Sequence, residues 1–520
     1  MIKGNLFVTS FSKTYKLLLF MFIFFIIWLS FRASNVDFIE LFKGFSDLSK
    51  LIKGMFPPKF GNIPKIAILT LETIGIGFWG TIIGSFLAIP LGFLCAKNTS
   101  PNRFMSYFAV IIVNVLRSVP EIVYALIFVV SFGMGPLAGL ISIALTTVGM
   151  LSKFIAEMTE GIDPKPVEAV KATGSKQIAI ITHSVVPQIL PLFIGYYLYL
   201  IDSNIRTAMS LGIIGAGGLG VELVFHMSLF HYQKFCGILV IMYIIITFID
   251  RISQILRKGV LEGTLFRQKK TKTKEIMAAS SFIFVGIVSL FFIPTNLTLL
   301  AQGGINMAKL IPMYFPPVWV NWSNIITKIL ETLAIAVSGT VFAIIIAIPL
   351  GILAARNLFH IKWIRIVVIE ICNFFRSIPD LVFALIFVSA VGLGPFPGVI
   401  GLGIHTAGFL GKIYAEAIEN VDLKPLEAVQ ATGAHFFQRI RHCIIPQIIP
   451  SFTSNSLYIF DRNIRASTIL GVIGAGGIGF ELVANMRSFE YNRVMGLVII
   501  ILVLIIIVDR LSSSIRSKVV

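Results

Sequence analysis

The segment Leu211-Gly-Ile-Ile-Gly-Ala-Gly-Gly-Leu-Gly220 returns 259 residues later as Leu470-Gly-Val-Ile-Gly-Ala-Gly-Gly-Ile-Gly479. The same offset relates the two halves of the chain over residues 57–510, without an insertion. Loops tolerate changes of length better than packed elements do, so the constant offset indicates that the loops are constrained as well. The sequence therefore predicts two structural repeats, in residues 1–265 and 266–520.

The composition places the chain in a lipid bilayer. Hydrophobic residues make up 56% of the 520 residues, charged residues only 13%, and the mean hydropathy is +0.91. A soluble protein of this length is less apolar. Apolar stretches of the ~20 residues that cross a bilayer can be placed about six to a repeat. In the first repeat they lie near residues 17–31, 67–96, 105–131, 137–158, 185–210 and 236–256. The predicted fold class is an all-α polytopic membrane protein with two tandem parallel repeats of about six transmembrane helices each.

Positive charge gathers at the ends of the predicted spans. The chain has 43 basic and 25 acidic residues, a net charge of +18, and the segment 257–275 between the repeats is rich in lysine and arginine. The positive-inside rule places this segment and both termini on the cytoplasmic side. Anionic lipid headgroups account for the charge, so we expect membrane lipid as a partner and no nucleic acid. An amphipathic pattern at residues 38–55 predicts a helix in the outer interface.

Neither a metal site nor ATP hydrolysis is indicated within this chain. Its four cysteines form no short-spaced pair and do not match between the repeats, so we expect structural thiols. The sequence lacks Gly-x-x-x-x-Gly-Lys-Ser/Thr, the loop that cradles the phosphates of ATP. We therefore expect no metal, no bound cofactor and no enzymatic activity in this chain, with energy supplied by another polypeptide.

A short polar segment follows the fourth predicted span of each repeat. In the first repeat, Asp163-Pro164 is a typical helix start, Glu168-Ala-Val-Lys-Ala-Thr-Gly174 follows, and a glycine is suited to end such a helix. The second repeat has Glu427-Ala-Val-Gln-Ala-Thr-Gly433. A short helix that projects from the membrane is suited to bind a socket on a partner protein.

This segment resembles the Glu-Ala-Ala loop of binding-protein-dependent ABC importer permeases, whose short coupling helix docks into a cleft of the ATPase subunit. Val170 and Val429 depart from the family pattern at its third position. The resemblance implies that the ATPase is coupled through Glu168, Ala169, Gly174, Glu427, Ala428 and Gly433.

Further motifs are similar to the permease of the phosphonate importer, present here as two copies fused in one chain. They are Arg-Ser-Val/Ile-Pro at 117–120 and 376–379, Gly-x-Gly-Pro at 133–136 and 392–395, the two glycine runs, and Ser488-Phe-Glu-Tyr491. The resemblance implies a type I ABC importer permease-like fold in the bacterial inner membrane. It also implies two ABC ATPase subunits, which bind ATP and Mg, and an extracytoplasmic solute-binding protein.

Charged residues within the predicted spans are candidates for a substrate path, because charges inside a membrane are costly and functional by default. Guanidinium groups bind phosphonate or phosphate oxygens with paired hydrogen bonds. For the Asp–Arg pairs, a structural ion pair is an equally good interpretation. The candidate path residues are Arg117, Ser118, Arg376, Ser377, Asp202, Arg206, Asp461 and Arg465.

The glycine runs lie between two predicted spans, so a dinucleotide site, which needs a βαβ unit, is excluded. Glycine adopts positive φ and allows close approach of backbones, which suits either a gate or a tight turn. The candidate gate or turn residues are Gly215, Gly217, Gly218, Gly220, Gly474, Gly476, Gly477 and Gly479. Prolines inside the spans, at positions 90, 120, 349 and 379, predict kinks.

The predicted function is the transmembrane permease of an ABC importer. It translocates phosphonate or a related phosphorus-containing anion, such as phosphate or phosphite, by alternating access driven by a separate ATPase. Two alternatives remain: a secondary transporter with parallel repeats, and an ABC permease for another small nutrient.

Overall fold

A computed structural model describes residues 13–34, 38–261, 272–293, 296–358, 361–435, 438 and 440–519. Within these ranges the regular structure is helical throughout, which confirms the all-α class. Most of the basic segment between the repeats lies outside the described residues.

The first repeat contains both long apolar helices and short helices. They are α1 Lys13–Ala33, α2 Phe38–Met55, α3 Ile63–Cys95, α4 Arg103–Ser118, α5 Glu121–Phe132, α6 Pro136–Glu160, α7 Pro164–Ala172, α8 Gln177–Ile180, α9 Val186–Gly212, α10 Leu219–Ser228 and α11 Tyr232–Leu261. A π-helical turn, Ile181–Val185, joins α8 to α9.

The second repeat follows the same order. Its helices are α12 Lys272–Leu290, α13 Leu297–Leu310, α14 Trp322–Ala354, α15 Lys362–Ser377, α16 Asp380–Val391, α17 Pro395–Glu419, α18 Leu423–Ala431, α19 Ile445–Leu470, α20 Ile478–Arg487 and α21 Tyr491–Val519. A π-helical turn, Ile440–Ile444, again precedes the long helix α19.

Six helices in the described ranges are long and apolar enough to cross a membrane, and up to nine if each of three bent pairs counts as one span. The third predicted span, 105–131, is not one helix: α4 and α5 meet at 82°, and their counterparts α15 and α16 meet at 86°. Pro120 has no N–H to continue the helix and restricts the residue before it to an extended conformation. The kinks predicted at Pro120 and Pro379 are therefore complete breaks, whereas Pro90 and Pro349 lie inside continuous helices.

The helices form two compact units that differ from the two sequence repeats. The N-unit comprises Lys53–Phe315, and the C-unit comprises Met1–Ile52 together with Pro316–Val520. In the N-unit, α12 packs on α3, and the Trp79 indole N–H donates to the Gly286 carbonyl at 2.9 Å. In the C-unit, α1 packs on α14. Each unit thus contains a first-span helix that belongs to the other repeat of the sequence.

Three helices form the centre of each unit. In the N-unit α3, α6 and α9 pack together, and in the C-unit α14, α17 and α19 do so. Equivalent repeat positions fill the two cores: Ala88, Leu151 and Leu200 in one, and Ala347, Leu410 and Ile459 in the other. These cores hold in place the polar side chains of α9 and α19 described below.

Candidate functional site

The short helix α7 has the ends that the sequence predicts. Asp163 caps its start, with a side-chain oxygen that accepts a hydrogen bond from the Lys165 N–H at 3.1 Å. Gly174 follows its end with φ of +73°, the left-handed conformation that closes many helices. Glu168 and Ala169 are exposed. The helix therefore presents the predicted coupling residues on a free surface of the chain.

The equivalent helix α18 is capped in the same way. The Asp422 side chain accepts from the Lys424 N–H at 3.0 Å, and Gly433 has φ of +75°. Ala428 is exposed. Glu427 belongs to α18, but its side chain lies outside the described residues.

A glutamine clamps the start of each short helix to the following long helix. The Gln188 amide oxygen accepts from the Asp163 N–H at 3.1 Å, and its nitrogen donates to the Asp163 carbonyl at 3.4 Å and to the Ser184 carbonyl at 2.8 Å. Gln447 makes the same contacts with Asp422, at 3.1 and 3.4 Å. Sequence analysis missed both glutamines, although each directly follows a proline that recurs at the repeat offset.

Each clamp includes the π-helical turn before the long helix. Ser184 and its counterpart Cys443, whose carbonyl accepts from Gln447 at 2.9 Å, both lie in this turn. Such turns are rare and occur frequently at functional sites. Hydrogen bonds thus join the starts of α7 and α18 to the bases of α9 and α19.

Along α9 and α19, the predicted Asp–Arg residues form direct ion pairs. Asp202 bonds to Arg206, and Asp461 bonds to Arg465. The aspartate side chains are only 3% and 4% exposed. Each aspartate lies about 24 Å along its helix from the first residue of that helix, at 1.5 Å per residue. The pairs therefore lie within the membrane-spanning part of the helices.

The asparagine between each Asp and Arg joins the three central helices. The Asn204 amide donates to the hydroxyls of Thr81 on α3 and Thr147 on α6, both at 2.8 Å. In the C-unit, Asn463 donates to Thr340 at 2.9 Å and accepts from Thr406 at 3.0 Å. Sequence analysis missed this role, which a buried amide with several hydrogen-bonding atoms is suited to fill.

Four predicted path residues lie at the breaks between α4 and α5 and between α15 and α16. They are Arg117, Ser118, Arg376 and Ser377. Both arginines are half-buried, and both serines are buried. A Cβ at Gly149 or Gly408 would lie 2.9 Å from the backbone nitrogen of Arg117 or Arg376, respectively. Glycine at these positions of α6 and α17 lets each break pack closely against the neighbouring helix.

In the C-unit alone, a histidine and an arginine lie beside the break. One ring nitrogen of His405 on α17 is 2.8 Å from the Ile378 carbonyl, and the other is 3.2 Å from the Arg462 guanidinium. The N-unit has Thr146 and Ser203 at these positions. The Thr146 hydroxyl bonds only to carbonyls of its own helix.

The glycine runs form tight turns that are bonded to α3 and α14. The Gly218 N–H donates to the Glu72 carboxylate at 2.8 Å, and the Leu219 N–H donates to the Thr73 hydroxyl at 2.9 Å. In the C-unit the Ile478 N–H donates to Thr332 at 2.8 Å. Positive φ occurs at Gly215, Gly217, Gly218, Gly474, Gly476 and Gly477. Gly220 and Gly479 each lie against the backbone of the preceding long helix. The geometry is that of a turn, and a gating role stays a prediction.

The ends of the spans near these turns carry different polar groups in the two units. In the N-unit, Glu222 bonds to Lys65 at 2.6 Å and to His226 at 3.3 Å. In the C-unit, the equivalent Glu481 bonds to Asn324 at 2.9 Å. An ion pair in one unit is therefore replaced in the other by a hydrogen bond from a neutral amide to the carboxylate.

The structure joins some predicted site residues and separates others. Each Asp–Arg pair is in direct contact, whereas the arginines at the breaks and the coupling residues lie on other helices. In the ranges that the structure describes, no three His, Cys, Asp or Glu side chains group as metal ligands.

The family model described as binding-protein-dependent transport system inner membrane component matches residues 88–262 and 347–519, one copy in each repeat. The chain belongs to this family. As an inner membrane transport component, it is a multi-pass membrane permease, and membership implies an ATPase and a binding protein as partners in general terms.

Several relatives carry names that refer to phosphorus compounds. The phosphate-import permease protein PhnE of Mycolicibacterium smegmatis is 33% identical over 505 residues, which cover 94% of this chain and 92% of the relative. The phosphite transport system permease protein PtxC of Stutzerimonas stutzeri is 38% identical and covers 42% of this chain and 80% of its own length. The putative phosphite permease HtxC of the same organism is 42% identical over 39% of this chain and 72% of its own.

Proposed function

We propose that this permease imports a phosphorus-containing oxyanion, namely phosphonate, phosphate or phosphite, across the bacterial inner membrane. The observation that carries the proposal is the similarity to PhnE over nearly the whole of both chains. The buried arginine-containing pairs at equivalent positions of the two units support an anionic solute.

Energy comes from a separate ATPase that binds ATP and Mg. The chain has two exposed coupling helices, α7 and α18, and we expect each to bind one ATPase subunit, two per chain. Both helices and both termini then lie on the cytoplasmic side, in agreement with the positive-inside rule. A solute-binding protein delivers the anion on the opposite side.

The path of coupling runs from these helices into the spans. Gln188 and Gln447 bond the first residue of each coupling segment to α9 and α19, which carry the Asp–Arg pairs. Packed protein interiors are barely compressible and transmit strain. Movement of an ATPase subunit therefore displaces its coupling helix, and the glutamine carries this displacement to the long helix. Alternating access follows as each unit switches between its two arrangements. The proposed lining of the solute path consists of Arg117, Arg376 and the two Asp–Arg pairs.

The test is solute-stimulated ATP hydrolysis in proteoliposomes that contain the full chain, its ATPase and its binding protein. We expect methylphosphonate, phosphate or phosphite to stimulate the wild type. In the double variant Glu168→Ala with Glu427→Ala, this stimulation should be at least about tenfold lower, which corresponds to a coupling free energy of ~1.4 kcal/mol.

The matched control is Glu157→Ala, which removes an exposed glutamate on α6 that pairs only with Lys153 at 3.3 Å. It should retain the stimulation. If the wild type responds to none of the three anions but does respond to another solute, the substrate proposal is wrong. If the double variant responds like the wild type, the coupling role of α7 and α18 is wrong.

A further inference from the structure

Arg462 occupies a special position in the C-unit. It lies about 26 Å along α19 from its cytoplasmic end, it is half-buried, and its guanidinium carbon stands 4.7 Å from the centre of the Phe409 ring. The ring covers one face of the guanidinium plane, a favourable cation–π arrangement. Among the described residues, the guanidinium also contacts His405.

The hydrogen bonds of His405 define how it holds this arginine. The Ile378 carbonyl can only accept, so the nitrogen 2.8 Å from it, Nδ1, carries the proton. Arginine can only donate, so Nε2, 3.2 Å from Arg462, acts as an acceptor. The imidazole is therefore neutral in this arrangement. It fixes the orientation of the guanidinium without cancelling its charge.

The charge of Arg462 has no carboxylate to balance it within the described chain. Asp461, its neighbour in sequence, is paired with Arg465, and no described carboxylate forms a salt bridge with Arg462. An uncompensated charge within a span costs several kcal/mol. The remaining N–H donors of the guanidinium are suited to bind the oxygens of an anion.

The N-unit lacks every part of this arrangement although the surrounding polar groups are repeated. The Asp–Arg pair recurs in both units. So does the buried asparagine that bonds to threonines on two neighbouring helices. Ser203 and Thr146 replace the arginine and the histidine. A requirement of the fold would be met in both units, whereas a ligand site is needed only once per passage.

We propose that Arg462, oriented by His405 and Phe409, binds the phosphorus oxyanion during its passage, at one site per chain. This inference rests on the proposed function, which supplies the anion. Arg462 also lies three residues from Arg465, on neighbouring positions of one helix face. The paired Asp461–Arg465 keeps the local charge low, so the anion is held weakly and released.

The test is the binding of methylphosphonate to the purified full chain in a maltoside detergent, followed by broadening of its phosphorus NMR line. The salt concentration is about 0.15 M, where screening over ~8 Å suppresses binding to surface charges. Arg462→Gln should lower the affinity about tenfold, as loss of a charge-assisted hydrogen bond does. Arg462→Lys, which keeps the charge, should retain an intermediate affinity.

Two further variants separate binding from folding and from surface charge. Arg103→Gln removes the same charge at an exposed position and should bind like the wild type. His405→Gln, which keeps one donor and one acceptor, should retain more affinity than His405→Leu. Size-exclusion profiles equal to that of the wild type show that each variant is folded.

The outcomes distinguish this inference from the proposed function. Equal affinity of wild type and Arg462→Gln, or equal loss in the glutamine and lysine variants, overturns the site while import by the wild type still stands. Binding that depends on Arg462, in a transporter that imports none of the three anions, overturns the proposed function and leaves the site. Equal loss in both His405 variants removes its orienting role.

Discussion

Thr146 and Ser203 in the N-unit occupy the positions that His405 and Arg462 occupy in the C-unit, yet equivalent residues bond the helices around them in both units. The glutamine clamps have equal lengths in the two units, 3.1 and 3.4 Å to the capping aspartate. The hydrogen bonds of Asn204 and Asn463 to the threonines agree in length to within about 0.2 Å. The uncharged side chains that bond neighbouring helices together are repeated, whereas several charged groups are not.

This difference separates two kinds of constraint. A mechanism in which both units move together requires that each coupling helix be joined to its span in the same way. A solute that passes once needs no such symmetry in the groups that contact it. Unmatched charges are therefore candidates for solute contact, and matched hydrogen bonds are candidates for force transmission.

The largest effect should come from the buried ion pairs. Asp202→Ala or Asp461→Ala leaves a largely buried arginine, 16% or 24% exposed, uncompensated, at a cost of up to about 3–5 kcal/mol. The loss should be greater for Asp461→Ala, because Arg462 then lies beside a second uncompensated guanidinium. Thermal unfolding of the purified full chain measures both.

The control replaces both partners of a pair with apolar residues, Asp202→Leu with Arg206→Met. Because no lone charge remains, this variant should lose less stability than Asp202→Ala alone. Equal losses for the two single aspartate variants would show that Arg462 does not influence the pair in the C-unit.

An intermediate effect is expected at the glutamine clamps. Gln188→Ala and Gln447→Ala each remove hydrogen bonds of about 0.5–1.5 kcal/mol apiece between a coupling segment and its long helix. Solute transported per ATP hydrolysed should fall by about two- to tenfold, and by the same factor in both variants.

Gln254→Ala is the comparison for these variants, since Gln254 is exposed and bonds only to Asp250 on its own helix at 2.9 Å. It should leave the transport ratio unchanged. A loss confined to one of the two clamps would contradict the symmetric transmission inferred from their equal geometry.

The smallest effect concerns Lys65 and Asn324, which contact equivalent glutamates. The Lys65 side chain is 53% exposed, so its pair with Glu222 contributes about 0–1 kcal/mol. Lys65→Ala should lower the unfolding temperature slightly at low salt and not at about 1 M salt, where charges are screened beyond ~3 Å. Asn324→Ala should show no such salt dependence. A salt-dependent loss of unfolding temperature in both variants would contradict the Asn324–Glu481 hydrogen bond described for the C-unit.

The repeat, the helical class and the ends of α7 followed from local signals in the sequence. Asp163 followed by proline starts a helix and Gly174 ends it, whatever the rest of the chain does. The Gln188 clamp could not be found in this way, because it joins residues 25 positions apart through a π-helical turn that no periodicity reveals. The breaks at Pro120 and Pro379 exceeded the predicted kinks, since a proline does not specify how far a helix turns.

Glu72 shows a different limit of sequence-based prediction. Within an apolar stretch it is a single carboxylate without a nearby basic residue, and sequence analysis gave it no role. Its partner is the Gly218 N–H, 146 residues away. Only the folded chain shows that the glycine turn is bonded to α3, which leaves this amide engaged rather than available to an anion.

Each compact unit contains the first-span helix of the other sequence repeat, and this arrangement has a consequence for synthesis. The start of α14 at Trp322 lies about 290 residues after the end of α1 at Ala33. At about 5–20 residues per second, ~15–60 s pass before the helix that α1 packs against leaves the ribosome. During this interval α1 waits in the bilayer with lipid as its neighbour, so the C-unit is completed last although its first helix is made first.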